Sequence, residues 1–238
     1  MARRITALAL AASALFCACA QPRAEAGPPA YTLVFLKTGP KSGTLSQQEN
    51  QTAFAGHFAN MERLASERKL LVAGPFGEAR HDPTLRGLFV LASSAPEEAR
   101  AWAETDPTTM AGVFTLEFHA LRTDAALPAA LESDLSRRDA AKAEGREPKP
   151  GEGARGYVLL SAEHGDIARR ELQSLGSEGG VFLIADLDDT RCLALLDAQN
   201  VAEAQQRFGA ALARIGSHVL DDWFASDQLA RLGEFAAR

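Results

Sequence analysis

A histidine and an aspartate lie on the apolar faces of two predicted helices. On the first helix, predicted over residues 48–68, His57 shares a face with four apolar side chains, those of Phe54, Phe58, Met61 and Leu64. On the second helix, Asp106 continues the stripe formed by Ala99, Trp102 and Ala103, and Pro107 ends the helix. Because both helices cover the same predicted sheet, the two polar side chains are placed to meet.

Such a pair has a recognisable acid–base chemistry. A carboxylate that is hydrogen-bonded to an imidazole fixes the tautomer of the ring and stabilises its charged form. The other ring nitrogen is then a better proton acceptor, as a general base must be. We therefore take His57 and Asp106 as the candidate catalytic residues, with His57 as general base or acid and Asp106 as the group that orients it.

Each residue also has a structural interpretation. His57 can be a satisfied core histidine, and Asp106 can be the N-cap of a short turn that begins at Pro107. The interpretations are compatible, because one carboxylate oxygen can cap the turn while the other binds the imidazole.

The chain contains a diverged internal repeat, and its second copy lacks both polar residues. The segment "VLASSAPEEA" aligns without gaps with "LLDAQNVAEA". Asp106 then aligns with Ala211, and His57 aligns with Ala168 or Arg169, depending on where an insertion falls. The apolar pattern persists although both residues are gone, which favours a role beyond building the fold.

The predicted elements of residues 31–122 follow the order β-α-β-β-α-β, which is the ferredoxin-like pattern. Residues 123–155 are charged and Ala-rich, part of them suits an exposed helix, and "EPKPGEG" is typical of a linker. The same order restarts over residues 156–238 and ends in a C-terminal helix. One such sheet has helices on one face only, so two repeats can bury their open faces together. The predicted fold is α+β, with tandem ferredoxin-like repeats whose two antiparallel sheets pack as an intramolecular pseudo-dimer of the dimeric α/β barrel type.

Residues Tyr31 to Arg122 resemble the YCII-related (YciI-like) family. The matching pieces are the first strand, "GHFANMERLASERKLLVAGPFGE", "LRGLFVLASS", "PEEARAWAETDP" and "AGVFTLEFHAL". The resemblance implies a ferredoxin-like fold that pairs through packed sheets, and a His–Asp active pair that carries over onto His57 and Asp106. It names no substrate, and the second half matches far more weakly.

The N-terminal segment is typical of an export signal. "MARR" supplies a positive start, and "ITALALAASALF" is an apolar run too short to span a bilayer comfortably. Two cleavage patterns remain open. Ala18-Cys19-Ala20 before Gln21 fits an ordinary signal peptide within residues 1–20, and Phe16-Cys17-Ala18-Cys19 resembles a lipobox with Cys19 as the lipidated residue. We expect a periplasmic or lipid-anchored protein of the bacterial envelope.

Composition and the other polar residues exclude several function classes. The chain has a net charge of −6 and no basic stripe with aromatic residues, which argues against nucleic-acid binding. The spacing of metal ligands is absent from the candidate residues His57, His81, Asp106 and His119. The sequence also contains no Gly-rich phosphate loop, which would indicate a cofactor, and no nucleophile elbow, which would indicate a serine enzyme. His81 suits a turn, His119 suits a strand that faces solvent or the cleft between repeats, and Cys192 suits a buried hydrophobe.

Three functions are therefore open. The first is an exported acid–base enzyme that performs an elimination, isomerisation or hydrolysis on a small organic molecule, with a pocket beside His57. The second is a non-catalytic module that binds a small ligand between its sheets, or a partner protein. The third is a structural envelope protein. In each case we expect a monomer that contains its own pseudo-dimer.

Overall fold

The computed structural model describes residues 30–146, 149 and 151–237. The first half has the predicted order, with one additional short helix. Its elements are β1 (Ala30–Thr38), α1 (Gln47–Ser66), β2 (Leu70–Pro75), β3 (Leu85–Leu91), α2 (Pro96–Ala103), α3 (Pro107–Met110) and β4 (Phe114–Arg122). The proposed signal segment and Cys19 lie outside the described residues.

The second half repeats this topology after a connecting helix, α4 (Leu127–Ala143). Its elements are β5 (Ala154–Glu163), α5 (Asp166–Ser177), β6 (Val181–Leu187), β7 (Arg191–Leu196), α6 (Val201–Ile215) and β8 (His218–Ser226). A 3-10 turn (Asp227–Arg231) and α7 (Leu232–Ala236) follow. No helix within the described ranges is long and apolar enough to cross a membrane.

The strands of both halves join into one eight-stranded sheet in the order β2-β3-β1-β4-β6-β7-β5-β8. Each half contributes the ferredoxin-like order, and β4 pairs with β6 through Leu121 opposite Leu187. The predicted α+β fold with antiparallel sheets and external helices is confirmed. The two predicted sheets, however, are not separate layers, because they continue into each other at this edge.

The outer strands β2 and β8 also meet, which closes the sheet into a barrel. Phe76 forms an isolated antiparallel bridge with Trp223, and the Trp223 Nε1–H donates to the Gly74 carbonyl oxygen at 3.0 Å. A Cβ atom on Gly74 would lie 1.8 Å from the Phe224 carbonyl oxygen. A glycine is therefore required at the point where the two strands approach most closely.

Apolar side chains of both halves fill the barrel. Alternate strand residues such as Leu33, Leu121, Leu159 and Leu187 form one buried cluster inside. The outward positions form two further clusters, one with helices α1 and α2 and the other with α5 and α6. This alternation is the period of two expected for strands with two covered faces.

Helix α4 lies within the segment predicted as a linker, and one of its faces is buried rather than exposed. Leu127, Ala130 and Leu131 join the interior cluster together with Leu229 and Leu232 from the C-terminal turn and helix. The helix covers one end of the barrel because it supplies apolar residues at the spacing of one helical face. The predicted domain boundaries at residues 122, 155 and 238 stay predictions.

Candidate active site

Helix α1 carries His57 on its buried face. A capping box of Ser46 and Glu49 starts the helix, and its buried residues are Ala53, His57, Asn60 and Leu64. His57 is 7% exposed, as the helical periodicity predicts. Phe58 was predicted to lie on the same apolar face, but this prediction is wrong, because 63% of its surface is exposed.

Asp106 performs both of the roles that the sequence left open. It is fully buried and is the N-cap of α3. Its Oδ1 accepts a hydrogen bond from the Thr108 backbone N–H at 2.9 Å and one from the Thr108 hydroxyl at 2.5 Å. Its Oδ2 lies 2.6 Å from Nδ1 of His57. The two oxygens thus serve the cap and the imidazole separately.

A glycine that the sequence analysis missed brings the two helices together. Gly56 precedes His57 on α1, and a Cβ atom there would lie 2.8 Å from Cγ of Pro107, the first residue of α3. The absence of a side chain allows α3 to pack directly on α1. The signal for this residue was its position, because a glycine inside a predicted helix costs stability unless close packing requires it.

Four aromatic rings surround the His57 imidazole. The ring of Phe89 stacks on it at a centroid distance of 5.9 Å and an interplanar angle of 17°. The other three approach edge-on at 5.4–6.1 Å and belong to Phe54, Phe58 and Phe114. Within the described part of the chain, Nε2 has no hydrogen-bond partner, and it is not among the fully buried unpaired atoms. Nε2 is therefore the free edge of the ring and keeps contact with solvent.

The environment keeps Asp106 ionised. Burial alone raises the pKa of its carboxyl group, but the hydrogen bonds from His57 and Thr108 outweigh burial and lower the pKa below its ordinary value. An ionised carboxylate can only accept hydrogen bonds. Nδ1 of His57 therefore carries the proton, and in the neutral ring the lone pair is on Nε2.

The remaining predicted candidates lie away from this pair. His119 Nδ1 is 2.5 Å from Asp188 Oδ2, at the junction between the halves. His81 Nδ1 is 2.9 Å from the buried Asp221. Burial raises the pKa of the Cys192 thiol, so this residue is an inert core residue, as predicted. No cluster of metal-ligating residues occurs among the residues that the structure describes.

The pairs of His119 and His81 occupy equivalent places in the two halves, with the residue types exchanged. Leu33 of β1 is opposite His119, as Leu159 of β5 is opposite Asp221. Asp188 follows β6 and His81 follows β2. Each junction therefore pairs a histidine of the first half with an aspartate of the second half. The strand residue is the histidine at one junction (His119 on β4) and the aspartate at the other (Asp221 on β8). Sequence reasoning missed both contacts because the residues are distant in the chain.

The space around the site is limited and lies outside the barrel. Among the described residues, apolar side chains of the barrel interior line a void of about 30 Å³, enough for one water molecule. A larger groove of about 780 Å³ runs between α1 and α4, and Phe58 and Met61 line its α1 side. His57 does not line this groove, whereas the Phe58 ring lines it and also contacts the imidazole edge-on at 5.4 Å.

One family model and two solved structures match parts of this chain. The model of the YCII-related domain matches residues 31–117. The 5-chloro-2-hydroxyhydroquinone dehydrochlorinase of Burkholderia phenoliruptrix, solved with 2,5-dihydroxybenzoquinone, is 26% identical, with coverage of 37% of this chain and 89% of its own and a TM-score of 0.29. A proposed monooxygenase of Lactobacillus acidophilus is 9% identical, with coverage of 84% of this chain and 97% of its own and a TM-score of 0.45. No curated protein matches significantly. The match to the model of the YCII-related domain therefore covers the part of the chain that holds both His57 and Asp106.

Proposed function

We propose that this protein is an acid–base enzyme that acts on a small organic molecule through His57 and Asp106. The observation that carries the proposal is the 2.6 Å contact between His57 Nδ1 and Asp106 Oδ2, combined with a free Nε2. A general base needs one ring nitrogen held in a fixed tautomer and the other available to accept a proton. Here one nitrogen is fixed by a buried carboxylate and the other is left for a substrate.

The geometry supports a specific division of labour. Nε2 of neutral His57 takes a proton from the substrate, and the Asp106 carboxylate stabilises the imidazolium that results. If the proton returns to another atom, the reaction is an isomerisation. If a leaving group departs, it is an elimination, and if the proton comes from water, it is a hydrolysis. The aromatic rings around the imidazole reduce the access of bulk water.

Nitrogen-15 NMR of the imidazole tests this arrangement directly. In the wild-type protein at a pH where His57 is neutral, we expect the proton on Nδ1. In Asp106→Asn the amide oxygen still caps Thr108, so the amide N–H₂ faces Nδ1 and the ring proton moves to Nε2. Asp221→Asn removes a carboxylate from the His81 pair and is the matched control, which leaves His57 unchanged. The same His57 tautomer in wild type and Asp106→Asn would contradict the proposal.

A module that binds a small apolar ligand without chemistry is the second candidate. The groove between α1 and α4 favours it, because exposed Phe58 and part-buried Met61 lie on its wall. The two candidates differ in where a ligand is held. A fragment library can be screened by NMR to locate the bound ligand. Under the enzyme proposal, a binding fragment shifts the resonances of His57. Under the binding proposal, it shifts the resonances of groove residues such as Leu135 and leaves those of His57 unchanged.

We further propose export to the bacterial envelope, on the basis of the N-terminal sequence. The mature protein then begins either at a lipidated Cys19 or at Gln21. Intact-mass measurement of the protein purified from the native envelope separates the two. A mass increased by lipid on Cys19 supports anchoring, a start at Gln21 supports soluble export, and an intact Met1 contradicts both.

A further inference from the structure

The groove between α1 and α4 has the size of a small-molecule site. Its volume of about 780 Å³ lies within the range of about 300–1,000 Å³ that such sites occupy. It is lined by β2, by one face each of α1 and α4, and by the end of β8. Among the described residues, four large apolar side chains are strongly exposed, and two of them, Phe58 and Phe224, line this groove. Exposed rings that gather at one concave surface indicate a ligand with an apolar body.

The face of α4 that lines the groove changes from apolar to cationic along the helix. Leu131 and Leu135 come first, and Arg138 and Lys142 follow on the same face. Each is three or four residues from the next, which is the spacing of neighbours on one helical face. A ligand that lies along this face therefore meets apolar side chains at one end and positive charge at the other.

A buried carboxylate holds the cationic end in place. Asp134 is 5% exposed and accepts hydrogen bonds from Nη2 of Arg137 and from the Ser226 hydroxyl, the latter at 2.9 Å. Its second oxygen lies 2.7 Å from Nη2 of Arg138. Arg137 is also bound to Asp227 at 3.0 Å. Two carboxylates thus hold Arg137, whereas Arg138 is held only by a carboxylate that it shares.

Arg138 keeps most of its donors for a ligand. A guanidinium has five N–H donors, and among the described residues Asp134 is the single partner of this one. The Arg138 side chain is 48% exposed. Lys142 lies one turn further along α4 and is 3.2 Å from Glu62, but these two side chains are 48% and 67% exposed, so their pair is weak. Both cations can therefore bind an anion without the loss of a buried ion pair.

The groove is more positive than the chain that contains it. In a chain with a net charge of −6, its lining contains three carboxylates, Glu62, Asp134 and Glu152, against four cations, Arg137, Arg138, Lys142 and Lys149. Each carboxylate already has a partner within the protein, as Glu152 has in Arg146 at 2.7 Å. The groove therefore offers a ligand hydrogen-bond donors and positive charge, which favour an anion.

We propose that this groove binds a small amphipathic carboxylate, a molecule with an apolar body and one carboxylate group. The carboxylate accepts hydrogen bonds from the N–H groups of Arg138 that Asp134 does not use, and Lys142 supplies a second positive charge. The apolar body lies against the leucines at the start of the same α4 face. Because neither His57 nor Asp106 lines the groove, this site goes beyond the proposed enzyme function and does not depend on it.

Titration with octanoate tests the inference, and octanol is the neutral probe of the same chain length. Each is added to the full chain, and the amide chemical shifts are followed by NMR. We expect saturable binding of octanoate that shifts the amides of groove residues such as Leu135. Octanol should bind at least about tenfold more weakly, which is the scale of one lost charge-assisted hydrogen bond.

Arg138→Gln should weaken octanoate binding at least about tenfold and leave octanol binding unchanged, because the variant loses only the recognition of charge. The fold tolerates this change, since Asp134 keeps Arg137 and Ser226 as partners. Arg100→Gln is the matched control. Arg100 is also 48% exposed and is also paired with a carboxylate one helical turn away, but it lies on α2, outside the groove. This control should bind octanoate as the wild type does.

Equal affinity of the wild type for octanoate and octanol overturns the recognition of an anion. Equal octanoate affinity in wild type and Arg138→Gln overturns the role of Arg138, as does an equal loss in Arg138→Gln and Arg100→Gln. An absence of saturable shifts at the groove residues overturns the site itself. None of these results bears on the proposed enzyme function, which is judged separately by the His57 tautomer in Asp106→Asn.

Discussion

Asp106 is buried completely, and each of its two oxygens has a different partner. The side chain joins α1 to α3 through His57 and also starts α3 through Thr108. Its removal therefore affects the fold and the chemistry together. Conservative replacements separate these effects, because an amide keeps the cap whereas a methyl group loses both contacts.

Asp106→Ala should destabilise the protein by about 3 kcal/mol. The change removes an N-cap and leaves the buried His57 without its carboxylate partner. Asp106→Asn should cost less than half of that free energy, because the cap survives. Urea unfolding followed by circular dichroism measures both. Equal losses in the two variants would show that the cap contributes nothing.

The lowered pKa of Asp106 predicts an acid-sensitive contribution to stability. In the folded protein its pKa lies below the unfolded value of about 4. Between these two pKa values the unfolded chain binds a proton that the folded chain does not, so stability falls as the pH decreases. The contribution is complete above about pH 4 and is lost as the pH falls through the folded-state pKa.

The measurement is the free energy of unfolding as a function of pH for wild type and Asp106→Asn. We expect the difference between the two proteins to shrink as the pH falls below about 4. Other carboxylates titrate in both proteins and cancel in the difference. A difference that stays constant down to pH 2 would be inconsistent with an ionised Asp106.

At the scale of elements, the contact between α1 and α3 depends on Gly56. Helical glycine normally costs up to about 1 kcal/mol relative to alanine. Gly56→Ala should nevertheless destabilise the protein by about 1–3 kcal/mol, because the new Cβ would overlap the Pro107 ring and push Asp106 away from His57. Thermal unfolding gives the stability change, and the His57 tautomer reports the pair.

Gly209 of α6 provides the matched control. It is also inside a helix, but no atom lies within 4 Å of the position that a Cβ would take. Gly209→Ala should leave stability unchanged or raise it by up to about 1 kcal/mol, through helix propensity alone. A stabilising Gly56→Ala would refute the packing role of Gly56.

The helix periodicity was sufficient to predict that His57 and Asp106 face inward, because local spacing decides which face is buried. It did not predict the exposure of Phe58, since an aromatic residue at the border of a helix stripe can turn either way. It also did not predict the hydrogen bonds of the buried Asn60 amide. The orientation of that amide depends on Arg63 and Thr105, and the Thr105 contact exists only after α2 has packed on α1.

At the scale of the whole molecule, the repeat predicted a pseudo-dimer of the α/β barrel type, but not the strand contacts that close the barrel. Closure depends on contacts between β2 and β8, which are about as far apart in the chain as any two strands. No local pattern records such a pairing. The local signs are two glycines, Gly74, whose absent side chain lets the Phe224 carbonyl approach, and Gly77, where a Cβ would lie 2.6 Å from Cβ of Asp222.

Gly74→Ala should open the barrel at this junction and cost about 2–3 kcal/mol. The new Cβ would clash with backbone rather than with a flexible side chain. Hydrogen exchange of the Gly77 amide, which donates to the Asp222 carbonyl oxygen at 2.7 Å, should accelerate. Gly165→Ala, where a Cβ meets no atom within 4 Å, is the control and should not change that exchange.

A barrel that is completed within one chain predicts a monomer. Both halves already cover the sheet faces and edges that separate ferredoxin-like subunits would use for pairing. Sedimentation velocity at low and high concentration should give one species of about 25 kDa, close to the 25.4 kDa of the full chain. A concentration-dependent dimer would show that a further surface is used for association.

The exchanged His–Asp pairs at the two junctions also encode which halves recognise each other. A dimer made from two copies of the first half would place His81 opposite His119, and both histidines would lose the aspartates that the second half supplies. A dimer of two second halves would place Asp188 opposite Asp221, with two negative charges in contact. Only one half of each kind gives a complementary pair at both edges. The two halves are therefore a matched heterotypic couple, in which a change at one junction residue is compensated only by its counterpart in the other half.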